Sequence, residues 1–215
     1  MSLTNTTLRL KTLLLELDNC QTFADVGCDH GYVAEGMLKN GKCNFVYVTD
    51  VSPVCLKKAE ELLSKNYQGK FKAIATNGLK NVPKVDQVLI AGMGGEIICD
   101  IILNADFLPD RLVLQPMKNT EKVRELLIKS GYRLIKDYTF KDVKYYDLIV
   151  CEKGIDSYTD DELLFGRDNL RQKGEAFKEQ IKRKLSVLQL AYQKMGEEDK
   201  IKADKQIKKY TEILK

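Results

Sequence analysis

The sequence predicts an α/β protein: a mostly parallel, seven-stranded Rossmann-like sheet ending in an antiparallel hairpin, with an antiparallel helical hairpin after it. Three observations carry this prediction. Short apolar runs alternate with helix-periodic segments from residue 6 to residue 151. The first run ends on alternate glycines in Phe23-Ala24-Asp25-Val26-Gly27-Cys28-Asp29-His30-Gly31-Tyr32, as a strand turning sharply into a helix requires. Beyond Gly154 the strand signals stop and apolar residues recur at three- and four-residue steps.

Residues 6 to 17 read as an amphipathic helix with Leu8, Leu13, Leu14 and Leu17 apolar and Arg9 and Lys11 exposed. The first strand follows over 23 to 27, then a helix over 31 to 40 stopped by Asn40-Gly41. Phe45 to Thr49 is the second strand and finishes on Asp50; Ser52-Pro53 caps and starts the next helix. Strands over 71 to 75, 86 to 91 and 111 to 115 complete the parallel set, with helices from Glu96 to Leu103 and from Asn119 to Ser130. Residues 132 to 139 and 146 to 151 form the antiparallel pair. The C-terminal series is Leu170, Phe177, Ile181, Leu185, Leu188, Tyr192 and Met195, with Gly174 in one slot; a second runs Ala203, Ile207, Tyr210, Leu214. These are two antiparallel helices with coiled-coil-like packing. The expected division is 1–155 for the sheet domain and 156–215 for the helical domain.

At 215 residues the chain can bury a sizeable core, and its 44% hydrophobic and 31% charged residues describe a soluble globular protein. No apolar run reaches membrane-span length, and Glu16 directly follows the short Leu13-Leu14-Leu15 run, which excludes a signal-peptide core. Six cysteines without paired spacing point to free thiols in a reducing cytoplasm. With one histidine, no metal site is expected. Net charge is +4, but basic residues cluster from Arg111 through Lys118 to Lys136 and again over Arg171, Lys178, Lys182 and Arg183. Either cluster suits a phosphate backbone; either would also serve as a solvated helix face.

Asp50 follows the glycine loop by about 20 residues, where a carboxylate takes the two hydroxyls of a ribose. A nicotinamide cofactor and S-adenosylmethionine both present that group. The loop favours the second, because Asp29 stands where a dinucleotide fold would place a glycine, and a carboxylate repels pyrophosphate. Asp25 and Asp29 could alternatively cap the following helix. His30 could act on a proton or merely orient its loop. Cys28 lacks a base to make it a nucleophile.

The runs Phe23 to Tyr32, Ile90-Ala91-Gly92-Met93-Gly94-Gly95, Leu112-Val113-Leu114-Gln115-Pro116 and Tyr146-Asp147-Leu148-Ile149-Val150 resemble the bacterial tRNA (adenine(22)-N1)-methyltransferases, TrmK. The resemblance covers roughly residues 6 to 154 and implies a class I methyltransferase fold, S-adenosylmethionine as cofactor and the tRNA D-arm as substrate. It implies cofactor contacts at Asp25, Gly27, Cys28, Asp50 and Val51, at Asn77 and Gly78, and at Gly92, Met93 and Gly94. It implies Asp29 facing the target base with His30 beside it; with tRNA as substrate, the basic clusters offer Arg111, Lys118, Arg171, Lys178, Lys182 and Arg183 toward RNA. Asn77 replaces the family's usual aspartate but can still accept a hydrogen bond from the adenine amino group. Met117 replaces an asparagine, while Cys28 and Gly31 replace a serine and an alanine. The expected assembly is a monomer or weak dimer.

Three other readings compete. A nucleotide-dependent oxidoreductase lacks its GxGxxG loop here. A non-catalytic RNA-binding protein on the same fold draws on the Asn77 and Met117 departures. A methyltransferase acting on another substrate is opposed only by the two basic clusters.

Overall fold

A computed structural model describes residues 7–215. Seven strands form one sheet in the order β3-β2-β1-β4-β5-β7-β6. They are β1 (Thr22–Val26), β2 (Phe45–Asp50), β3 (Phe71–Ala75), β4 (Gln87–Met93), β5 (Arg111–Pro116), β6 (Tyr132–Lys141) and β7 (Tyr145–Lys153). The first five are mutually parallel, and β7 pairs antiparallel to both β5 and β6. The chain order reverses between β1 and β4, which opens a crevice beyond the carboxyl ends of those strands.

Helices α1 (Leu8–Glu16), α2 (Tyr32–Lys39), α3 (Pro53–Ser64), α4 (Gly95–Leu103) and α5 (Thr120–Lys129) cover the sheet. The predicted first helix thus begins at Leu8, with Thr7 as its cap; Thr6 lies outside the described residues. One core, including Leu13, Phe23, Met37, Val46 and Leu63, fills one side of the sheet. A second, including Val26, Leu79, Ile98, Leu112 and Val123, fills the other. Successive strand residues point to opposite faces, so strands covered on both sides carry continuous apolar runs. Val88, Leu89 and Ile90 of β4 are all buried.

After β7 come two short helices, α6 (Asp160–Phe165) and α7 (Arg167–Gln172), then the hairpin of α8 (Glu175–Tyr192) and α9 (Glu197–Leu214). Sequence periodicity merged α7 with α8. The structure instead turns at Lys173, whose φ of 45° is left-handed, and uses Gly174 as the α8 N-cap. Phe165, Phe177, Ile181 and Tyr210 form a small separate core. A buried ion pair fastens this segment to the sheet. Arg124 of α5 donates from Nε and Nη2 to Asp137 of β6 at 2.8–3.0 Å, and from Nη1 to the Leu163 carbonyl at 2.8 Å. Tyr145 and Tyr146, at the start of β7, are half-buried; the Tyr145 hydroxyl donates to Glu179 of α8 at 3.0 Å.

Candidate active site

The β1–α2 loop is pinned by backbone bonds before any side chain takes part. The amides of Gly27 and Cys28 both donate to the Thr49 carbonyl, at 2.8 and 3.0 Å, and the Gly31 amide donates to the Cys28 carbonyl at 2.8 Å. Gly27 takes φ 68° and leaves no room for a side chain: a Cβ there would lie 2.0 Å from Met93 Cε. Asp29 takes φ 49°, a conformation uncommon outside glycine, asparagine and aspartate.

Asp50 ends β2 facing this loop. Its Oδ1 accepts from the Ser52 amide at 2.8 Å and its Oδ2 from the Asp29 amide at 3.3 Å. Each oxygen keeps a free lone pair, which is what binding a ribose diol needs. Asp25, buried in β1 two residues before Gly27, is pushed up to about 7 by desolvation, against a hydrogen bond from the Ala34 amide that lowers it. That bond means Asp25 does meet the first turn of α2, as a capping residue would. Asp29 does not: the N-cap position of α2 is Gly31, which offers no side chain. Asp29 Oδ1 lies instead 2.9 Å from His30 Nδ1.

His30 is bracketed. Its Nε2 lies 3.4 Å from Lys58 Nζ, and its ring stacks on Tyr32 with centroids 5.5 Å apart. Lys58 can only donate, so the partners assign Nε2 as acceptor and Nδ1–H as donor to Asp29. This arrangement orients Asp29 rather than freeing the ring. Burial pushes the Cys28 thiol up, which suits an inert packing residue.

The opposite wall comes from β4. Its register with β5 slips between Ala91 and Met93, leaving Gly92 as a bulge at φ 81°. The turn into α4 is stitched to the end of β5: the Met117 amide donates to the Met93 carbonyl and the Gly95 amide to the Lys118 carbonyl, both at 2.8 Å. A Cβ on Gly95 would lie 2.3 Å from the Asn119 carbonyl oxygen. Because that neighbour is backbone, Gly95→Ala is expected to cost about 1–3 kcal/mol, read as a lowered urea midpoint.

These elements enclose a cavity of about 710 Å³, within the size range of small-molecule sites. Of the predicted residues, Asp25, Gly27, Cys28, Asp29, His30, Asp50, Val51, Asn77, Gly78, Gly92 and Met93 line it. Gly94 lies just beyond as the α4 N-cap, with Lys118 beside it: a Cβ on Gly94 would be 3.1 Å from Lys118 Cε. Thr7, Arg9, Leu10 and Leu13 of the α1 region also line the cavity, and sequence reading missed them. Arg9, expected to be exposed, is half-buried, and its Nε donates to Gln115 Oε1 at 2.7 Å.

The predicted RNA-facing residues separate. Arg111 starts β5, so its Cα lies about 16 Å of strand from the cavity end. Its guanidinium is engaged by Gln87 Oε1 and Asp18, each at 3.0 Å, which sets it apart from the cavity. Arg171, Lys182 and Arg183 are exposed; Lys178 is partly so and lies 3.9 Å from Glu175. α8 rests on the tip of the β6–β7 hairpin, where Lys141 Nζ meets Glu179 at 2.5 Å. The same tip reaches α1, because the Arg9 amide donates to Asp142 Oδ2 at 3.0 Å. Lys182 and Arg183 thus follow Glu179 by only about 5–6 Å of helix rise.

A sheet with β7 inserted antiparallel between β5 and β6, carrying an acid-lined cavity at the β1–β4 switch point, defines the class I methyltransferase fold. A family model for tRNA (adenine(22)-N(1))-methyltransferase, TrmK, matches residues 23–215, and the chain belongs to that family. The curated tRNA (adenine(22)-N(1))-methyltransferase of Bacillus subtilis is 30% identical over 153 residues, which span 68% of this chain and 64% of that protein, slightly under two thirds of its length. A Streptococcus agalactiae protein of the NADB-Rossmann superfamily superposes with TM-score 0.92 at 26% identity over 98% of both chains. The structure of M. capricolum TrmK with S-adenosyl-homocysteine matches with TM-score 0.88 at 22% identity, over 98% of this chain and 99% of that one, a likeness of fold. Among the described residues no helix could cross a membrane and no cluster of side chains could hold a metal ion.

Proposed function

We propose that the protein transfers a methyl group from S-adenosylmethionine to N1 of adenine 22 in the tRNA D-arm. The single observation that carries this is the convergence of Asp29 and Asp50 with the Gly92 bulge on one cavity. The lining fits the cofactor: Asp50 offers two carboxylate lone pairs to a ribose, and the acidic lining favours an ammonium and a sulfonium over a pyrophosphate. When bound, S-adenosylmethionine supplies a sulfonium-activated methyl that the adenine N1 lone pair can take directly, leaving a cationic base.

The chain's own contribution is positioning and charge. Asp29 faces the open cavity and offsets the positive charge that develops on the base, or accepts a proton from its exocyclic amine. His30, held between Lys58 and Tyr32, fixes the direction of Asp29. Asn77 takes the cofactor's adenine edge. Lys118 and the α8 residues Lys178, Lys182 and Arg183, with Arg171 before them, hold the tRNA backbone. In this reading residues 1–155 do the chemistry and 156–215 hold RNA, in a monomer or weak dimer of the cytoplasm.

Labelled S-adenosylmethionine incubated with unmodified tRNA tests the proposal. Label should enter N1 of the D-arm adenine and vanish when that base is mutated. Intact cofactor binding with no label in RNA would point to another methyl acceptor or a non-catalytic role.

Asp25 adds a pH dependence. Its ionised form, which pairs with the cofactor ammonium, dominates only above about 7. Cofactor affinity should therefore rise several-fold between about pH 6 and about pH 8, measured by calorimetry, and Asp25→Asn should flatten that rise. The sign for stability is opposite. A carboxyl raised on folding from 3.8 to about 7 makes the fold less stable as pH climbs through that window.

A further inference from the structure

The cavity is lined by three carboxylates, Asp25, Asp29 and Asp50, but by a single lysine or arginine, Arg9. Arginine stays charged in any protein environment, so a half-buried guanidinium needs an anion or a full set of acceptors. Arg9 has neither among the described residues. Its Nε is used by Gln115, and its guanidinium carbon stands 5.6 Å from the centre of the Tyr146 ring. Among the described residues no acceptor meets Nη1 or Nη2, and no carboxylate forms an ion pair with it.

The side chain is nevertheless fixed. Gln115 is fully buried and donates from Nε2 to the Pro116 carbonyl at 3.1 Å, so the acceptor that grips Arg9 is itself immobile. Nη2 lies 2.7 Å from where a Cβ on Gly92 would be, which puts the guanidinium against the bare backbone of the β4 bulge. Arg9 also acts electrostatically on Asp25 without touching it. The cavity thus holds a fixed cationic fork and a buried carboxyl within range of each other. That pairing complements an α-amino acid zwitterion, with the ammonium toward Asp25 and the carboxylate toward Arg9.

We infer that Arg9 is the anchor for the α-carboxylate at the amino-acid end of the cofactor. This rests on the reading of S-adenosylmethionine as cofactor. A phosphodiester of the RNA is the weaker candidate, because it brings no ammonium for Asp25 and would enter a cavity lined by carboxylates.

Calorimetry on the full chain tests the assignment with two probes: S-adenosylhomocysteine, and 5′-methylthioadenosine, which lacks the amino-acid end. Arg9→Gln should weaken S-adenosylhomocysteine binding by about 10- to 100-fold, as loss of a charge-assisted fork implies, and leave methylthioadenosine within about twofold. Arg9→Lys, which keeps the charge but not the fork, should fall between wild type and Arg9→Gln. Equal weakening of both probes would overturn the inference and make Arg9 a support of the cavity wall. Unchanged binding of both probes with weakened tRNA binding would also overturn it, in favour of a phosphate contact. Should the wild-type protein bind neither probe, the cofactor reading itself falls and this inference with it. A variant that does not fold shows itself by a lost melting transition, and the Arg9→Lys arm then decides.

Discussion

Asp29→Asn is expected to lower the methyl-transfer rate by roughly 10²- to 10⁴-fold while cofactor affinity stays within about threefold. The structure makes this separation possible. The Asp29 side chain is 68% exposed and among the described residues its carboxylate meets His30 Nδ1–H, whereas the loop is held by backbone bonds and by the Asp29 amide on Asp50. Asparagine tolerates the left-handed φ of 49° better than alanine would, so the substitution removes charge without re-aiming the loop. Single-turnover kinetics give the rate and calorimetry the affinity. A collapse of affinity would move Asp29 into the cofactor site and end its catalytic assignment.

The largest effect on stability is expected at Arg124. Arg124 and Asp137 are each 1% exposed, and Asp137 Oδ2 also accepts from the Tyr158 hydroxyl at 3.1 Å. Arg124→Met leaves that carboxylate without its cation, which costs about 3–5 kcal/mol in buried pairs. It also frees the Leu163 carbonyl, so α6 should loosen from the sheet. A fall in the urea midpoint and faster proteolysis after residue 153 would register both consequences. The double variant Arg124→Met/Asp137→Leu should recover part of the loss, because no unpaired buried charge remains; if it is no better than Arg124→Met, charge burial is not the cause.

The strands and the glycine turns were legible because their causes are local. Phe23, Ala24 and Val26 are apolar in the sequence and buried in the structure, and Gly27 takes its positive φ where the chain bends. Asp50 was legible because strand and helix lengths in this fold leave little freedom in spacing. Arg9 was not. Its neighbours on α1 place it on the polar face, and what turns it inward is Gln115, 106 residues away, with Asp142, 133 residues away. The place of Arg111 was not legible either: a basic run in sequence says nothing about which end of a strand each member occupies, and the structure sets Arg111 at the start of β5, paired with Asp18. Periodicity likewise passed through Gly174, since the spacing of Leu170 and Phe177 does not register a left-handed turn at Lys173.

The hydrogen bond from the Arg9 amide to Asp142 carries a consequence for how the protein is made. It joins the first described helix to the tip of the last strand pair, so one wall of the cavity is set by residues at opposite ends of the sheet domain. At translation speeds of about 5–20 residues per second, the intervening 133 residues take roughly 7 to 27 seconds to synthesise. During that interval the nascent chain holds its glycine loop and Asp50 but no finished pocket. The complete cavity therefore has to wait for the β6–β7 tip, and an N-terminal fragment ending before that tip would not inherit the cavity of the whole chain.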